Sequence, residues 1–195
     1  ASSFVGCHLA REFVRQGWAV TATLSKPRDA YDGVQAERLK WIGEPVSWRT
    51  LDLRDEKATR DFIAQVKPDL WAHHAGFAVN HGSPDYDLRV GHAVNVAPLL
   101  YIYEALAKAK CGGVIVTGSN MEYSDTEQAC KETDECNPTT PYGQSKLEET
   151  QTAEKLSKDY SVPTRVARLF IPFGLFDAPG KVLMYVVENL KKGLP

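Results

Sequence analysis

The sequence of 195 residues contains no apolar run that approaches the roughly 18 residues needed to cross a bilayer as a helix, so no membrane span is expected. No basic segment followed by an apolar stretch opens the chain, so a secretory leader is not expected either, and the cytoplasm is the expected compartment. Charge of one sign is also missing. A net charge of −2 gives no field to gather nucleic acid or an anionic membrane surface, and neither is expected as a partner. There are only four cysteines, Cys7, Cys111, Cys130 and Cys136, and none forms a Cys-x-x-Cys pair. Free thiols are the expected state, not a disulfide framework. His73 and His74 are adjacent, and neighbours in a strand point to opposite faces. With no further ligand set beside them, no metal is expected. There is no internal repeat and no low-complexity tract.

What is present is an ordinary globular balance, 43% apolar and 25% charged, in a chain long enough for one sizeable core. Two kinds of segment alternate. Residues 5–16, 55–65, 88–110, 142–159 and 181–192 carry apolar side chains at spacings of three and four and predict helices. Residues 19–24, 46–51, 70–73, 114–117 and 164–170 are short apolar runs bounded by turn residues and predict strands. The alternation predicts an α/β fold, a doubly wound, Rossmann-like parallel sheet with ligands beyond the C-terminal strand ends. Gly17 suits a left-handed position after the first helix, and Pro68 stops another. Residues 124–141 predict an irregular surface loop. Residues 1–4 run straight into a helix. The sheet is therefore expected to lack its first strand, and the chain to expose sheet edges and apolar surface.

Several positions carry candidate chemistry. Ala1-Ser2-Ser3-Phe4-Val5-Gly6 is a small-residue turn before a helix, where backbone N–H groups and the helix dipole suit a phosphate. In dinucleotide sites the end of the next strand meets the adenosine ribose. An acid there favours NAD, and cations accommodate the 2′-phosphate of NADP. Here Ser25, Lys26 and Arg28 follow the strand with no acid at the turn, which leans toward NADP. Asp52, after the next strand, can accept from an adenine amino group, while Asp55 is the better helix cap. Tyr142 and Lys146 lie four apart at the start of a helix and share a face. A nearby ammonium lowers the pKa of a phenol and makes it a usable acid/base. Tyr-x-x-x-Lys is a short motif that chance also produces. Its weight comes from its place after a long loop and downstream of the strand end Thr117-Gly118-Ser119, which puts the Ser119 hydroxyl in the same cleft.

Taken in order, these motifs resemble the extended short-chain dehydrogenase/reductase family, its NAD-dependent epimerase/dehydratase group. Residues 1–6 resemble the later part of that family's glycine turn, with Ser3 where the middle Gly is usual and Gly6 matching the last, which implies cofactor contacts at Ser3, Phe4 and Val5. Asp52-Leu53 resembles the adenine contact. His73-His74-Ala75-Gly76 resembles the segment that lines the cofactor, with His74, Ala75 and Gly76 as contacts, and Asn95 matches an Asn of the following helix. Ser119 and Tyr123 match a Ser-x-x-x-Tyr segment, Tyr142 and Lys146 the catalytic pair, and residues 168–174 the segment that leads to the substrate region. The resemblance implies a nucleotide-binding domain over residues 1–175 and the opening of a substrate-binding region over 176–195. It implies an oxidoreductase using NADP or NAD for hydride transfer at a carbinol or keto carbon, of a nucleotide sugar as epimerase or ketoreductase. In that mechanism Tyr142 exchanges the proton, Lys146 binds the nicotinamide ribose and lowers the Tyr142 pKa, and Ser119 orients the substrate. A homodimer through the helices at 88–110 and 142–159 is implied as well. Asn120 and Met121 stand where family dehydratases carry an acid, which disfavours dehydration. An NADP-dependent reductase of a non-sugar carbonyl and a non-catalytic NAD(P)-binding regulator are the alternatives, and the Tyr/Lys pair favours an enzyme.

Overall fold

The computed structural model describes residues 1–125, 128–177 and 180–194. Thr126 and Glu127 of the expected loop, and Ala178, Pro179 and Pro195 of the expected substrate region, lie outside the described residues. In chain order the elements are α1 (Phe4–Arg15), β1 (Val20–Leu24), α2 (Gly33–Ile42), β2 (Val46–Thr50), α3 (Glu56–Val66), β3 (Leu70–His73), α4 (Leu88–Gly91), α5 (Leu99–Lys108), β4 (Gly113–Ser119), α6 (Pro141–Asp159), β5 (Thr164–Leu169) and α7 (Val182–Lys191). A π-helical turn, His92–Val96, joins α4 to α5, and a 3₁₀ turn, Asn120–Glu122, follows β4.

All strand pairing is parallel, as the alternation of strand and helix predicts, but it falls into two sheets, β1-β2 and β3-β4-β5. Among the described residues no strand joins β1 to β3. The chain divides correspondingly into two units, Ala1–Leu51 with Ile171–Pro195, and Asp52–Phe170.

In the first unit the Ser3 hydroxyl caps α1 by accepting from the Gly6 amide at 3.1 Å, and Gly17 at φ +81° turns the chain out of the helix. Cys7 and Ala10 of α1 meet Leu24, Leu39 and Ile42 in the core, with Tyr31 buried beside them. Each large side chain buried in this way contributes about 1.5–3 kcal/mol. Helix α2 is absent from the sequence reading. It buries Leu39, Ile42 and the charged Arg38, with Ala36 and Trp41 partly buried on the same core, and a charged residue on the buried face blurs the helical period. The Arg38 guanidinium donates to the carbonyls of Phe176 and Ser2 at 2.7 and 3.2 Å. Apolar surface is exposed, as the sequence led us to expect, on Ile171, Phe173, Leu175 and along α7.

In the second unit β4 lies between β3 and β5 and is buried over most of its length. Ile63 of α3, Leu99, Ile102, Tyr103 and Leu106 of α5, Val114 and Val116 of β4, and Ala153 and Leu156 of α6 form its core. The continuous helix expected over residues 88–110 is broken. Pro98 has no N–H for the helical ladder, and the π turn just before it widens the helix and carries the buried Asn95. Among the described residues no helix is long and apolar enough to cross a membrane.

Candidate active site

Strand β4 delivers Ser119 to its C-terminal end. The Ser119 hydroxyl accepts from the Met121 amide at 3.1 Å while Glu122 Oε1 accepts from the Ser119 amide at 2.7 Å, a reciprocal cap that fixes the 3₁₀ turn. Glu122 is fully buried. Its Oε2 accepts from Arg168 Nε at 2.7 Å, and Arg168 also donates to the Tyr123 hydroxyl at 3.1 Å with its guanidinium 5.0 Å from the Tyr123 ring centroid. Burial pulls the Arg168 guanidinium down, but Glu122 outweighs it and holds the pKa above the usual arginine value. Gly118 makes room for this pair, because a Cβ there would stand 2.7 Å from Glu122 Oε1 and 3.0 Å from Arg168 Cγ.

Helix α6 starts at Pro141, with Thr140 as cap accepting from the Gly143 amide at 3.0 Å. Gly143 lets the helix start meet the 3₁₀ turn. A Cβ there would collide with the Met121 carbonyl oxygen and lie 2.9 Å from Pro138 Cβ. This close approach sets the first turn of α6, which carries Tyr142, against the turn that follows Ser119. The Tyr142 ring is walled by Tyr86 at 5.5 Å and His81 at 5.6 Å between centroids. A cleft of about 530 Å³ beyond β4 is lined by Asn120, Met121, Tyr123, Asp125, Thr140 and Phe170, among others.

Lys146 corrects an expectation. Where its ammonium was expected to bring the Tyr142 pKa down, the phenol lies above its ordinary value. Lys146 Nζ donates to Glu149 Oε2 at 2.5 Å in a buried pair three residues apart on α6. The phenol is instead pushed up to about 12 by its own burial, then by Glu149, Tyr86 and Glu122, and the Ser119 hydrogen bond is what draws it back. Burial pushes Glu149 up to about 7 although Lys146 pulls the other way. The other Glu149 oxygen faces His73 Nε2 at 3.7 Å. Burial, Lys146 and His74 hold the His73 imidazole down to about 3, so the ring is neutral.

The remaining expected residues divide between the two units. Phe4 and Val5 open α1 behind Ser3. At the end of β1 the Ser25 hydroxyl is 3.2 Å from the Tyr31 hydroxyl, Lys26 Nζ lies 4.5 Å from the Tyr31 ring centroid, and the Arg28 guanidinium lies 4.6 Å from the Trp48 centroid. In the second unit both Asp52 oxygens are engaged by Arg54, as close as 2.6 Å, which holds that carboxyl below its usual range, and Asp55 caps α3. Leu53 is buried, and its carbonyl accepts from the Tyr101 hydroxyl. His74 Nδ1 is 3.0 Å from the Thr117 hydroxyl, and Ala75 and Gly76 are exposed. Asn95 pins this segment, its Oδ1 accepting from the Phe77 amide at 2.7 Å while Nδ2 reaches Ser145 and Tyr86 at 3.3 and 3.4 Å. Tyr86, Ser145, Glu122 and Glu149 were missed as site residues. Only Glu149 had a usable signal, a spacing of three from Lys146 that puts both on one face.

UDP-glucose 4-epimerase 2 of Arabidopsis thaliana is 24% identical over 154 residues, which is 75% of this chain and 42% of that protein. UDP-glucuronic acid 4-epimerase from Bacillus cereus, solved with UDP-glucuronic acid and NAD, superposes with a TM-score of 0.79 at 17% identity over 100% of this chain and 62% of its own. The dTDP-glucose 4,6-dehydratase DesIV from Streptomyces venezuelae superposes at 0.77 with 21% identity and the same coverage. This chain thus spans less than half of the curated relative and about three fifths of the solved chains, whose likeness establishes the Rossmann-like fold. The sequence profile of the NAD dependent epimerase/dehydratase family matches residues 1–195 throughout, and the chain belongs to that family.

Proposed function

We propose that this chain is the nucleotide-binding and proton-handling part of an NAD(P)-dependent enzyme that moves hydride at a carbinol or keto carbon of a nucleotide sugar, as an epimerase or ketoreductase. The observation that carries this reading is the packing of the first turn of α6 on the turn after β4, which brings Tyr142 to the strand end that carries Ser119, with Lys146 one helical turn further on. The epimerase names among the relatives support the substrate class.

Each of the two units carries donors of the kind that part of a dinucleotide takes. The first-turn amides of α1 at Phe4 and Val5, behind the Ser3 cap, suit a pyrophosphate. Ser25, Lys26 and Arg28 suit the adenosine ribose, Asp52 and Leu53 the adenine, and His74, Ala75, Gly76, Asn95, Tyr142 and Lys146 the nicotinamide half. When bound, the nicotinamide supplies the acceptor and donor of hydride. Ser119 orients the substrate oxygen and Tyr142 gives or takes its proton at the phenol oxygen. Lys146 supplies the positive charge that a phenolate requires. Dehydration is not part of the reading. Asn120 and Met121 stand where family dehydratases carry an acid, and the next carboxylate, Glu122, is buried and paired with Arg168.

Lys26 and Arg28 favour a second reading, NADP-dependent reduction of a non-sugar carbonyl. Calorimetric titration of the full-length protein with NAD and NADP, followed by turnover on a panel of nucleotide sugars and simple ketones, separates the two. The first reading expects conversion of a nucleotide sugar, and turnover of the ketones alone contradicts it. The same reading includes a cytoplasmic homodimer through α4, α5 and α6, where Leu88, Val90 and Leu100 are exposed. Light scattering that reports a monomer at micromolar concentration removes the dimer.

A further inference from the structure

Glu149 is a carboxylate 1% exposed, placed one turn beyond Lys146 and directed into the site. A carboxylate is acceptor-only when ionised, and a buried one needs donors on its oxygens. Lys146 serves one oxygen at 2.5 Å. The other faces His73 Nε2 at 3.7 Å, too far for a hydrogen bond, and that nitrogen is buried with no other partner. The imidazole is already oriented for the task. Trp71 Nε1 donates to His73 Nδ1 at 3.4 Å, which leaves the proton of the neutral ring on Nε2. Glu149 therefore stands between two donors, one engaged and one waiting.

We propose that Glu149 is a positioning residue that parks Lys146 away from the Tyr142 phenol, and that His73 is the second donor that takes the carboxylate when Lys146 is released. The proposal rests on the functional reading of Tyr142 only for its catalytic consequence; the charge arrangement stands without it. Parked, Lys146 neutralises Glu149 and the phenol stays protonated. Released, the ammonium is available to the phenol oxygen, and a closure of less than 1 Å from the present 3.7 Å gives Glu149 a hydrogen bond from His73 in its place. The groups that face Glu149 are few and come from every element around it: Lys146 and Tyr142 on α6, His73 at the end of β3, Tyr86 before α4, Tyr103 on α5, and Glu122, which is itself neutralised by Arg168. Lys146 is the cation paired with Glu149, so removing the carboxylate leaves that charge without its partner.

The test is a titration of the full-length protein, free of cofactor, with ¹³C-labelled tyrosine, the Tyr142 signal being assigned by its loss in Tyr142→Phe. In Glu149→Gln the phenol is expected to titrate lower by about one unit or more, from loss of the Glu149 charge together with release of Lys146. Adding Lys146→Met is expected to reverse the part that the released cation supplies, and the absence of that reversal overturns the proposal. Glu149→Asp, which keeps the charge, is expected to return most of the way to wild type. A Tyr142 phenol that titrates at the wild-type position in a folded Glu149→Gln protein overturns the proposal. If that variant does not fold, His73→Leu decides. Without the second donor Lys146 stays parked, so kcat is expected to fall about tenfold or more at unchanged KM with the ligand-free phenol unmoved, and wild-type kcat overturns the proposal. Retained turnover in Tyr142→Phe defeats the functional reading instead and leaves the titration result standing, so the two failures are distinguishable.

Discussion

The first unit carries its candidate binding charges on the surface, and the second carries its candidate chemical charges inside. Lys26, half-buried, and Arg28, exposed, sit over the rings of Tyr31 and Trp48, and Arg28 also lies 3.8 Å from Glu44 Oε1. Charges of that kind are cheap to hold and weak one at a time, which suits a mobile phosphate group. Lys146, Glu149, Glu122 and Arg168 are paired out of water. There each charge is tolerated only because its partner is in place, and the loss of one strands the other. The contrast separates recognition from chemistry. On the proposed function, the cations of the first unit bear on which cofactor is preferred, and the buried pairs of the second bear on where protons reside.

The largest effects should follow from breaking the buried pairs. Lys146→Met strands Glu149, and Arg168→Met strands Glu122; each is expected to cost about 3–5 kcal/mol in urea unfolding. Losses under 1 kcal/mol would place these pairs with surface ones. The pH dependence sharpens the point. The folded His73 ring is held down to about 3 from an ordinary 6.5, so its contribution is present above pH 6.5 and lost as pH falls toward 3. Glu149 is held up to about 7 from 4.5, so its contribution is present below pH 4.5 and lost as pH rises toward 7. Between about pH 4.5 and 6.5 the two oppose. His73→Leu therefore leaves only the Glu149 slope, and the urea midpoint of that variant is expected to rise, relative to wild type, as pH falls through this window. A midpoint that tracks wild type across the window would show that the ring titrates as it does in water.

The smallest effects belong to the first unit. Lys26→Ala with Arg28→Ala is expected to weaken NADP by about fivefold per cation, from roughly 1 kcal/mol each, with NAD binding and urea stability unchanged within error. An equal loss for NAD would move both residues from 2′-phosphate recognition to general support of the turn.

Much of this contrast was legible in the sequence, and the limit has a physical form. The strand at residues 70–73 emerged with its bounds unchanged because a short apolar run between Asp69 and His74 has few other ways to bury itself. Tyr142 and Ser119 were found because the element order brings their backbones together. The direction of the Tyr142 pKa was not found. Burial of the phenol sets it, with Glu149, Tyr86 and Glu122 adding to the rise, and a spacing that offers Lys146 either Tyr142 at minus four or Glu149 at plus three shows none of these. Glu122 was invisible for a different reason. A Glu in a polar stretch after a strand looks like solvated surface, and only the approach of Arg168 from β5, across a glycine at 118, buries it. Helix α2 was lost because a helix that buries Leu39, Ile42 and a paired arginine shows no broad apolar stripe.

The central claim, a proton-handling centre at Ser119, Tyr142 and Lys146, is tested most directly by Tyr142→Phe in the full-length protein. Turnover of a nucleotide sugar and cofactor binding should be measured side by side. The account predicts a fall in kcat of about 10²- to 10⁴-fold, the range of a lost general acid/base, with NAD(P) affinity within a few-fold of wild type. Full turnover with the phenylalanine in place would contradict it.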